Sequence, residues 1–361
     1  MSVASDRRLV RARLASQGIS AATDSNPADI VRRMTAMQAQ DVPSATWSIG
    51  LRNPNLSLAD VNEAFAEGSI VRSWQMRGTL HVVAPEDLRW ILAVTRERSV
   101  RGSLARRTAL GLSELDLERA RTAALTALSG GRALPRTQLY RAFDDAGVVT
   151  AGQRGYHILW FLSVTGTLVL GPPSGTTQTF ALLDEWAPEQ RKLEHDEALC
   201  EFVLRYFNSH GPASIHDFAW WSSTTLTEAR AGLALARHGL DSVDRDGEKL
   251  YFAAGTNLNL PRDGVRLLPG FDEYLLGYRN RTPQLPANRA DDIVPGGNGV
   301  FWGTVVDDGM VVGSWKRAHS RSGVSPAIRM FSSTSARMER GISQARRDYS
   351  EYVNGAHDRG R

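Results

Sequence analysis

The pattern of hydrophobic positions divides the first hundred residues into helices followed by a hairpin. Asn26 is a suitable N-cap, and Pro27 suits the first position of a helix, where its missing N–H costs nothing. Arg77-Gly78 is a two-residue turn between segments rich in β-branched and aromatic residues, which is a strong hairpin pattern. The pattern predicts helices at residues 7–17, 27 to about 40 and 58–65, and hairpin strands at 70–76 and 79–83. Three helices followed by a hairpin is the element order of a winged helix-turn-helix module.

The same order of elements recurs twice more along the chain. Helical patterns precede a hairpin at 168–182 and another at 240–253, and 300–316 has the pattern of a further hairpin. A repeat of supersecondary units at this scale indicates a tandem architecture. We therefore predict a mainly helical α+β protein with three tandem winged helix-turn-helix modules and a small β-barrel-like subdomain. The predicted divisions are 1–100, 101–187 and 188–255 for the modules, 256–334 for the β subdomain, and 335–361 for a C-terminal helix and tail.

Two glutamines, Gln38 and Gln40, stand where the second helix should give way to another structure. Pro43 disfavours the α conformation at the preceding residue, so the helix should have ended by about Gln40. Side chains two residues apart lie roughly 200° apart on a helix but point to the same side of an extended segment. If the two amides act together, the backbone must be unwound; spacing alone also allows two exposed polar residues at a helix end. Asp41 is a candidate base or, more commonly, a turn or cap residue.

The composition is that of a globular protein with a surplus of arginine. The 361 residues carry a formal charge of +4, and only three of the 43 basic residues are lysine. Arginine binds phosphate in a bidentate way, so a polyanionic partner is compatible with this charge, although a GC-rich genome would also enrich arginine. The single cysteine, Cys200, excludes an internal disulfide framework. With no signal peptide and no apolar run that could span a bilayer, we expect a cytoplasmic, nucleoid-associated protein without a membrane partner.

The sequence lacks the motifs of several common kinds of enzyme chemistry. None of the eight histidines pairs with another histidine or a cysteine at a metal-ligand spacing, and no nucleotide-binding glycine motif or nucleophile elbow occurs. The lysines lie away from the two glutamines, which argues against Schiff-base chemistry. We therefore expect no metal and no cofactor. Arg72, Trp74, Arg77 and His81 alternate along the first hairpin, so one set can face a nucleic acid, while Trp74 is equally compatible with the core.

Four segments of the chain occur in a characteristic order. They are Gln38-Ala39-Gln40 and residues 72–81, 217–221 and 268–276. Together they resemble the AlkZ/YcaQ family of bacterial winged-helix DNA glycosylases, and the likeness covers almost the whole chain. The resemblance implies a C-shaped arrangement of modules around a DNA-binding concavity. It also implies excision of bulky N7-alkylguanine adducts, with interstrand crosslinks among the substrates of an AlkZ-like branch that is associated with self-resistance to genotoxic natural products.

The glutamine motif indicates which branch of that family the chain resembles. Gln-apolar-Gln is typical of the AlkZ-like branch, whereas the YcaQ-like branch has Gln-apolar-Asp, so the resemblance implies that Gln38 and Gln40 are the catalytic pair. The implied partner is double-stranded DNA carrying alkylated purines. Since no amine nucleophile lies near the motif, we predict hydrolysis without lyase activity, and the lack of a heptad zipper favours a monomer. The predicted DNA contacts are Arg72, Arg77, His81, Arg279, Arg281 and Lys316.

Two other functions are compatible with the same sequence. Winged helices serve non-catalytic regulators, which bind a specific DNA sequence and usually do so as symmetric dimers on a palindrome. The nine tryptophans would also allow an aromatic pocket that sequesters the alkylating agent itself. A glycosylase differs from both, because it requires a lesion, releases a free base and shows no preference for sequence.

Overall fold

A computed structural model describes residues 3–20, 24–297, 299–320 and 323–355. The first part of the chain combines helices with three strands. These elements are α1 (Val3–Ser16), α2 (Pro27–Met34), β1 (Met37–Gln38), α3 (Val42–Gly50), α4 (Leu58–Glu67), β2 (Val71–Met76), β3 (Thr79–Val83), α5 (Leu88–Gly102) and α6 (Leu104–Ala109). Strands β2 and β3 form the predicted hairpin, whose turn residues Arg77 and Gly78 have φ of 54° and 67°. Positive φ at both positions is what a tight hairpin turn of type I′ requires.

Helix α2 begins as predicted but ends earlier. The Asn26 side chain accepts a hydrogen bond from the Asp29 N–H (2.9 Å), so the predicted cap is confirmed. The helix ends at Met34 rather than near Gln40, because Thr35 has φ of 66° and turns the chain toward β1. Asp41 then caps helix α3 by accepting a hydrogen bond from the Ser44 N–H (2.9 Å). Asp41 was considered as a catalytic base or as a cap, and the structure shows it as a helix cap.

The second part of the chain has the predicted order of helices and hairpin. Its elements are α7 (Glu114–Leu128), β4 (Leu134–Pro135), α8 (Arg136–Asp145), α9 (Arg154–Val164), β5 (Leu168–Leu170), β6 (Thr179–Leu182) and α10 (Leu183–Trp186). Its strands join those of the first part in one six-stranded sheet of order β1-β3-β2-β5-β6-β4. The predicted division between residues 100 and 101 falls inside α5, and β2 pairs with β5, which satisfies an otherwise open sheet edge. The first two predicted modules therefore share a sheet.

The third part surrounds an aromatic core. Its elements are α11 (His195–His210), β7 (Ala213–Ser214), α12 (Ile215–Ser222), α13 (Leu226–Ala236), β8 (Leu240–Arg245) and β9 (Glu248–Ala253), with a three-stranded sheet of order β7-β9-β8. Tyr206 of α11 packs against Phe218 and Trp221 of α12, with ring centroids 5.3 and 5.0 Å away. This packing fixes the buried face of α12. The winged-helix character of the three parts and the C shape stay predictions.

The last part is a curled antiparallel sheet closed by a helix. Its elements are β10 (Val265–Leu268), α14 (Glu273–Leu276), α15 (Ala290–Ile293), β11 (Gly303–Asp307), β12 (Met310–Ser320), β13 (Gly323–Met330) and α16 (Ala336–Asn354). The strand order β10-β11-β12-β13 leaves the sheet open, as a half-barrel rather than a full barrel. On α16, Tyr349 and Tyr352 pack on Trp47 of α3, with ring centroids 5.2 and 4.9 Å away. Because α3 directly follows the glutamine motif, α16 anchors that segment to the sheet.

Two negative findings apply to the described ranges. No helix there combines the length and the apolar composition that crossing a membrane requires. No group of three or more His, Cys, Asp or Glu side chains there is arranged to hold a metal ion. The expectations of no metal and no cofactor stay predictions.

Candidate active site

The two glutamines project to the same side of an extended segment. Gln38 is opposite His81 in the antiparallel pairing of β1 with β3, and the Ala39 N–H donates to Leu80 O (2.7 Å). The Ala39 side chain is buried, whereas Gln40 is exposed. Gln38 Nε2 donates to Gln40 Oε1 over 3.2 Å. The backbone is unwound here, which was the stated condition for the two amides to act together, and the amides form a hydrogen-bonded pair.

Arg77, at the turn of the first hairpin, fixes the orientation of the Gln38 amide. Its Nη2 lies 3.5 Å from Gln38 Oε1, and its Nη1 donates to Leu276 O (2.9 Å). Since a guanidinium has donors only, the Gln38 carbonyl oxygen must face Arg77. The Gln38 NH₂ group therefore faces Gln40, and the oxygen of Gln40 must be the atom that accepts. The Arg77 guanidinium thus sets the direction of the hydrogen bond between the two amides.

His81 lies in the interior behind Gln38 as a neutral ring. Its Nε2 accepts a hydrogen bond from Arg77 Nη2 (2.9 Å), because a guanidinium can only donate. Its Nδ1 therefore carries the proton and donates to Thr79 O (3.0 Å). Burial, and then the positive charge of Arg77, lower the pKa of His81 to about 3. The side chain is 0% exposed. The prediction that His81 contacts phosphate is therefore wrong, because the sheet and the guanidinium cover the ring.

A buried carboxylate that the sequence reasoning missed lies on the other side of β1. Glu273 Oε1 accepts a hydrogen bond from the Gln38 backbone N–H (2.9 Å), and Oε2 accepts one from Trp221 Nε1 (2.8 Å). Arg77 Nη2 is 3.9 Å from the same carboxylate. Burial alone would raise the pKa of Glu273, but His210 and the charge of Arg77 lower it to about 2. The only sequence signal was its place in segment 268–276, which does not distinguish Glu273 from its neighbours.

The structure places Arg72 inside the protein rather than on a DNA-facing surface. Its side chain is 8% exposed and donates a hydrogen bond to Gln178, and burial lowers its pKa to about 10. The prediction that Arg72 contacts DNA is wrong, because its guanidinium is buried and bonded to Gln178, in the segment between β5 and β6. Trp74 is also buried, with its ring stacked 6.4 Å from that of Phe180, so the core alternative was correct.

Of the other predicted contacts, three lie at or near the surface, whereas the Arg77 side chain is 12% exposed and largely buried. Arg279 and Lys316 are exposed, and the Lys316 ammonium lies 3.5 Å from the centre of the Trp302 ring. Arg281 is half-buried, and its guanidinium carbon lies 5.1 Å from the centre of the Trp220 ring. Arg77 lies 5.2 Å from that same ring. Arg281 and Arg77 therefore lie against the same tryptophan ring, and all four cations stay predictions as DNA contacts.

Comparisons with known proteins agree with this fold. The family model described as DNA glycosylase AlkZ-like matches residues 31–352. The interstrand DNA cross-link repair glycosylase of Streptomyces sahachiroi is 29% identical over 339 residues, which are 90% of this chain and 91% of the relative. The solved structure of the DNA glycosylase AlkZ from the same organism has the same fold, with a TM-score of 0.82, 24% identity and 96% of each chain covered.

The match to the family model extends over most of the chain, from within α2 to near the end of α16. This protein therefore belongs to the AlkZ-like family of DNA glycosylases. The resemblance carried by the four segments is confirmed, and family membership identifies an enzyme rather than a non-catalytic regulator.

Proposed function

We propose that this protein is a monofunctional glycosylase that hydrolyses the N-glycosidic bond of bulky N7-alkylguanine in double-stranded DNA. The observation that carries the proposal is the hydrogen-bonded pair of neutral amides, Gln38 and Gln40, on an extended strand with one exposed member. The name of the relative, an interstrand DNA cross-link repair glycosylase, supports crosslinked adducts as further substrates. We extend the proposal to a role in self-resistance to a genotoxic natural product.

The chemistry of the lesion explains why neutral amides suffice. Alkylation at N7 makes the guanine cationic, so the base leaves as a neutral purine without a general acid. The C1′–N9 bond breaks with its electron pair going to the purine, while a water oxygen bonds to C1′ and its proton passes to solvent. A glutamine carbonyl can accept a hydrogen bond from that water and aim its lone pair at C1′. Its dipole also favours the positive charge that develops on the sugar.

The polarity of the pair points to Gln40 as the residue that holds the water. The oxygen of Gln38 is turned toward Arg77, whereas Gln40 Oε1 accepts from Gln38 Nε2 at the exposed end of the chain of contacts. A second lone pair remains on Gln40 Oε1 for the water. A general base typically contributes about 10²–10⁴-fold, and only an activated substrate tolerates its absence. The site should therefore select cationic lesions over undamaged bases, in an open cleft rather than a tight base-flipping pocket.

The test measures free base released from a duplex that carries one N7-alkylguanine, with enzyme in excess, by chromatography and mass spectrometry. Gln38→Ala and Gln40→Ala should each abolish most of the release. Gln344→Ala, which removes an exposed glutamine on α16, should release base at the wild-type rate. Unchanged release in the first two variants would contradict the site assignment. Strand breakage without alkali or heat would contradict monofunctional hydrolysis.

A further inference from the structure

The N–H group of Gln38 is bonded to a side chain where a sheet would normally supply a carbonyl. Strand β1 is the outermost strand of the six-stranded sheet, and β3 pairs with one of its edges only. The Ala39 N–H points to β3, so the Gln38 N–H points to the open edge. Glu273, 235 residues away in the sequence, fills that edge with a carboxylate oxygen. One buried side chain thus determines the position of the backbone from which the proposed catalytic amide projects.

The second oxygen of the same carboxylate ties this edge to the third part of the chain. It accepts from Trp221 Nε1 on α12, and Arg77 Nη2 from the first hairpin lies 3.9 Å from the carboxylate. The negative charge of Glu273 therefore lies beside the cation that orients the Gln38 carbonyl. A neutral amide is a poor replacement, because its NH₂ group would face either the Gln38 N–H or the indole N–H, and two donors repel. The nearby acceptor for that group is His210 Nε2, which lies 3.5 Å from the second carboxylate oxygen.

We propose that Glu273 is a positioning residue for the reaction, which holds Gln38 through its backbone and balances the charge of Arg77. This inference rests on the proposed function, because it concerns the geometry of the same amide pair. Three separate parts of the chain meet at this carboxylate, so their packing sets the position of Gln38 relative to bound DNA. A displacement of about 1 Å at such a group can lower a rate about 10²-fold.

Asp87 provides a matched control for the loss of a buried carboxylate. It is also buried, accepts a hydrogen bond from an indole, that of Trp90 (2.8 Å), and pairs with Arg191 (3.0 Å), but it contacts neither glutamine. Asp87→Asn and Glu273→Gln should both lower the melting temperature. Only Glu273→Gln should lower the single-turnover rate of base release, by about 100-fold, at temperatures where both variants are folded. DNA affinity should stay within about threefold of wild type in each.

A double variant separates positioning from general damage. In Glu273→Gln combined with Trp221→Phe, the new NH₂ group no longer faces the indole donor, so the amide oxygen can accept from the Gln38 N–H. The double variant should release base at least tenfold faster than Glu273→Gln alone. A Glu273→Gln rate within twofold of wild type, an equal loss in Asp87→Asn, or no recovery in the double variant would overturn the inference.

Hydrogen exchange of the wild-type protein keeps the inference testable if Glu273→Gln does not fold. The Gln38 amide should exchange much more slowly than an unprotected amide, and exchange at the unprotected rate would overturn the inference. An inactive wild-type protein would instead contradict the proposed function itself. Wild-type activity together with an unaffected Glu273→Gln variant would leave the proposed function intact and refute only the positioning role.

Discussion

Gln38 Nε2 donates to Gln40 Oε1 across 3.2 Å, although Gln38 is 9% exposed and Gln40 faces solvent. The buried amide is held by Arg77 and by its own backbone, whereas the exposed amide is held through the buried one. Gln38 is therefore the fixed member of the pair, and Gln40 is the member that can reach solvent or substrate.

Two substitutions of Gln40 distinguish the effect of its hydrogen-bond acceptor from the effect of its side-chain length. Gln40→Met keeps the length of the side chain but removes the acceptor, so the single-turnover rate of base release should fall about 10- to 100-fold. Gln40→Glu keeps an oxygen that accepts from Gln38 Nε2, and its rate should stay within about tenfold of wild type. The measurement is quantification of free base under enzyme excess. Equal rates for the two variants would show that the acceptor is unimportant.

The rate of base release should be independent of pH between about 6 and 9. The two amides do not titrate, and the pKa values of the buried neighbours His81 (about 3) and Glu273 (about 2) lie far below this range. The reaction would then lack the bell-shaped profile of general acid–base catalysis. Single-turnover rates in a series of buffers at constant ionic strength test this. A rate of base release that changes with pH between 6 and 9 would indicate a catalytic base outside the glutamine pair.

The free energy of unfolding should decrease as the pH falls below about 6.5. The pKa of His81 is lowered to about 3 in the folded protein, so below pH 6.5 the unfolded chain binds a proton there that the folded chain does not. Stability from this group is complete above pH 6.5 and is lost between pH 6.5 and 3, by about 1.4 kcal/mol per pH unit. In His81→Asn the slope between pH 6 and 5 should be smaller, as measured by urea denaturation. An unchanged slope would contradict a neutral buried His81.

The proposed DNA contacts should differ in their effect on salt dependence. Arg279→Gln and Lys316→Gln each remove an exposed cation, so the slope of log K against log salt should become shallower by about 0.9 for each phosphate that the variant no longer neutralises. Arg72→Gln changes a buried guanidinium and should leave the slope at its wild-type value. Fluorescence anisotropy on labelled duplex at several salt concentrations provides the slopes. A shallower slope in Arg72→Gln alone would reverse this assignment.

The sequence by itself determined the features that depend on a few neighbouring residues. Asn26 caps α2 and Arg77-Gly78 forms the hairpin turn, both as predicted, whereas the extended Gln38-Ala39-Gln40 backbone lies where the pattern had continued the helix to about Gln40. Caps and tight turns are set by local sterics and hydrogen bonds, so their residue types are readable in the chain. The proline argument did not hold in the same way, because Val42 before Pro43 begins α3 and the chain leaves α2 at Thr35 instead. The catalytic role proposed for Gln38 and Gln40 came from the family resemblance, because spacing alone also allowed two exposed polar residues at a helix end.

Only the tertiary structure decided which polar groups surround that motif. Alternation along the first hairpin indicated two different faces, but whether Arg72 and His81 are covered depends on the partners that pack there. The contact of Glu273 with the Gln38 N–H joins residues 235 positions apart, and no spacing rule connects them. Burial and long-range pairing arise from the packing of whole elements, because the desolvation that makes these charges consequential exists only once the sheet, α12 and α14 have come together.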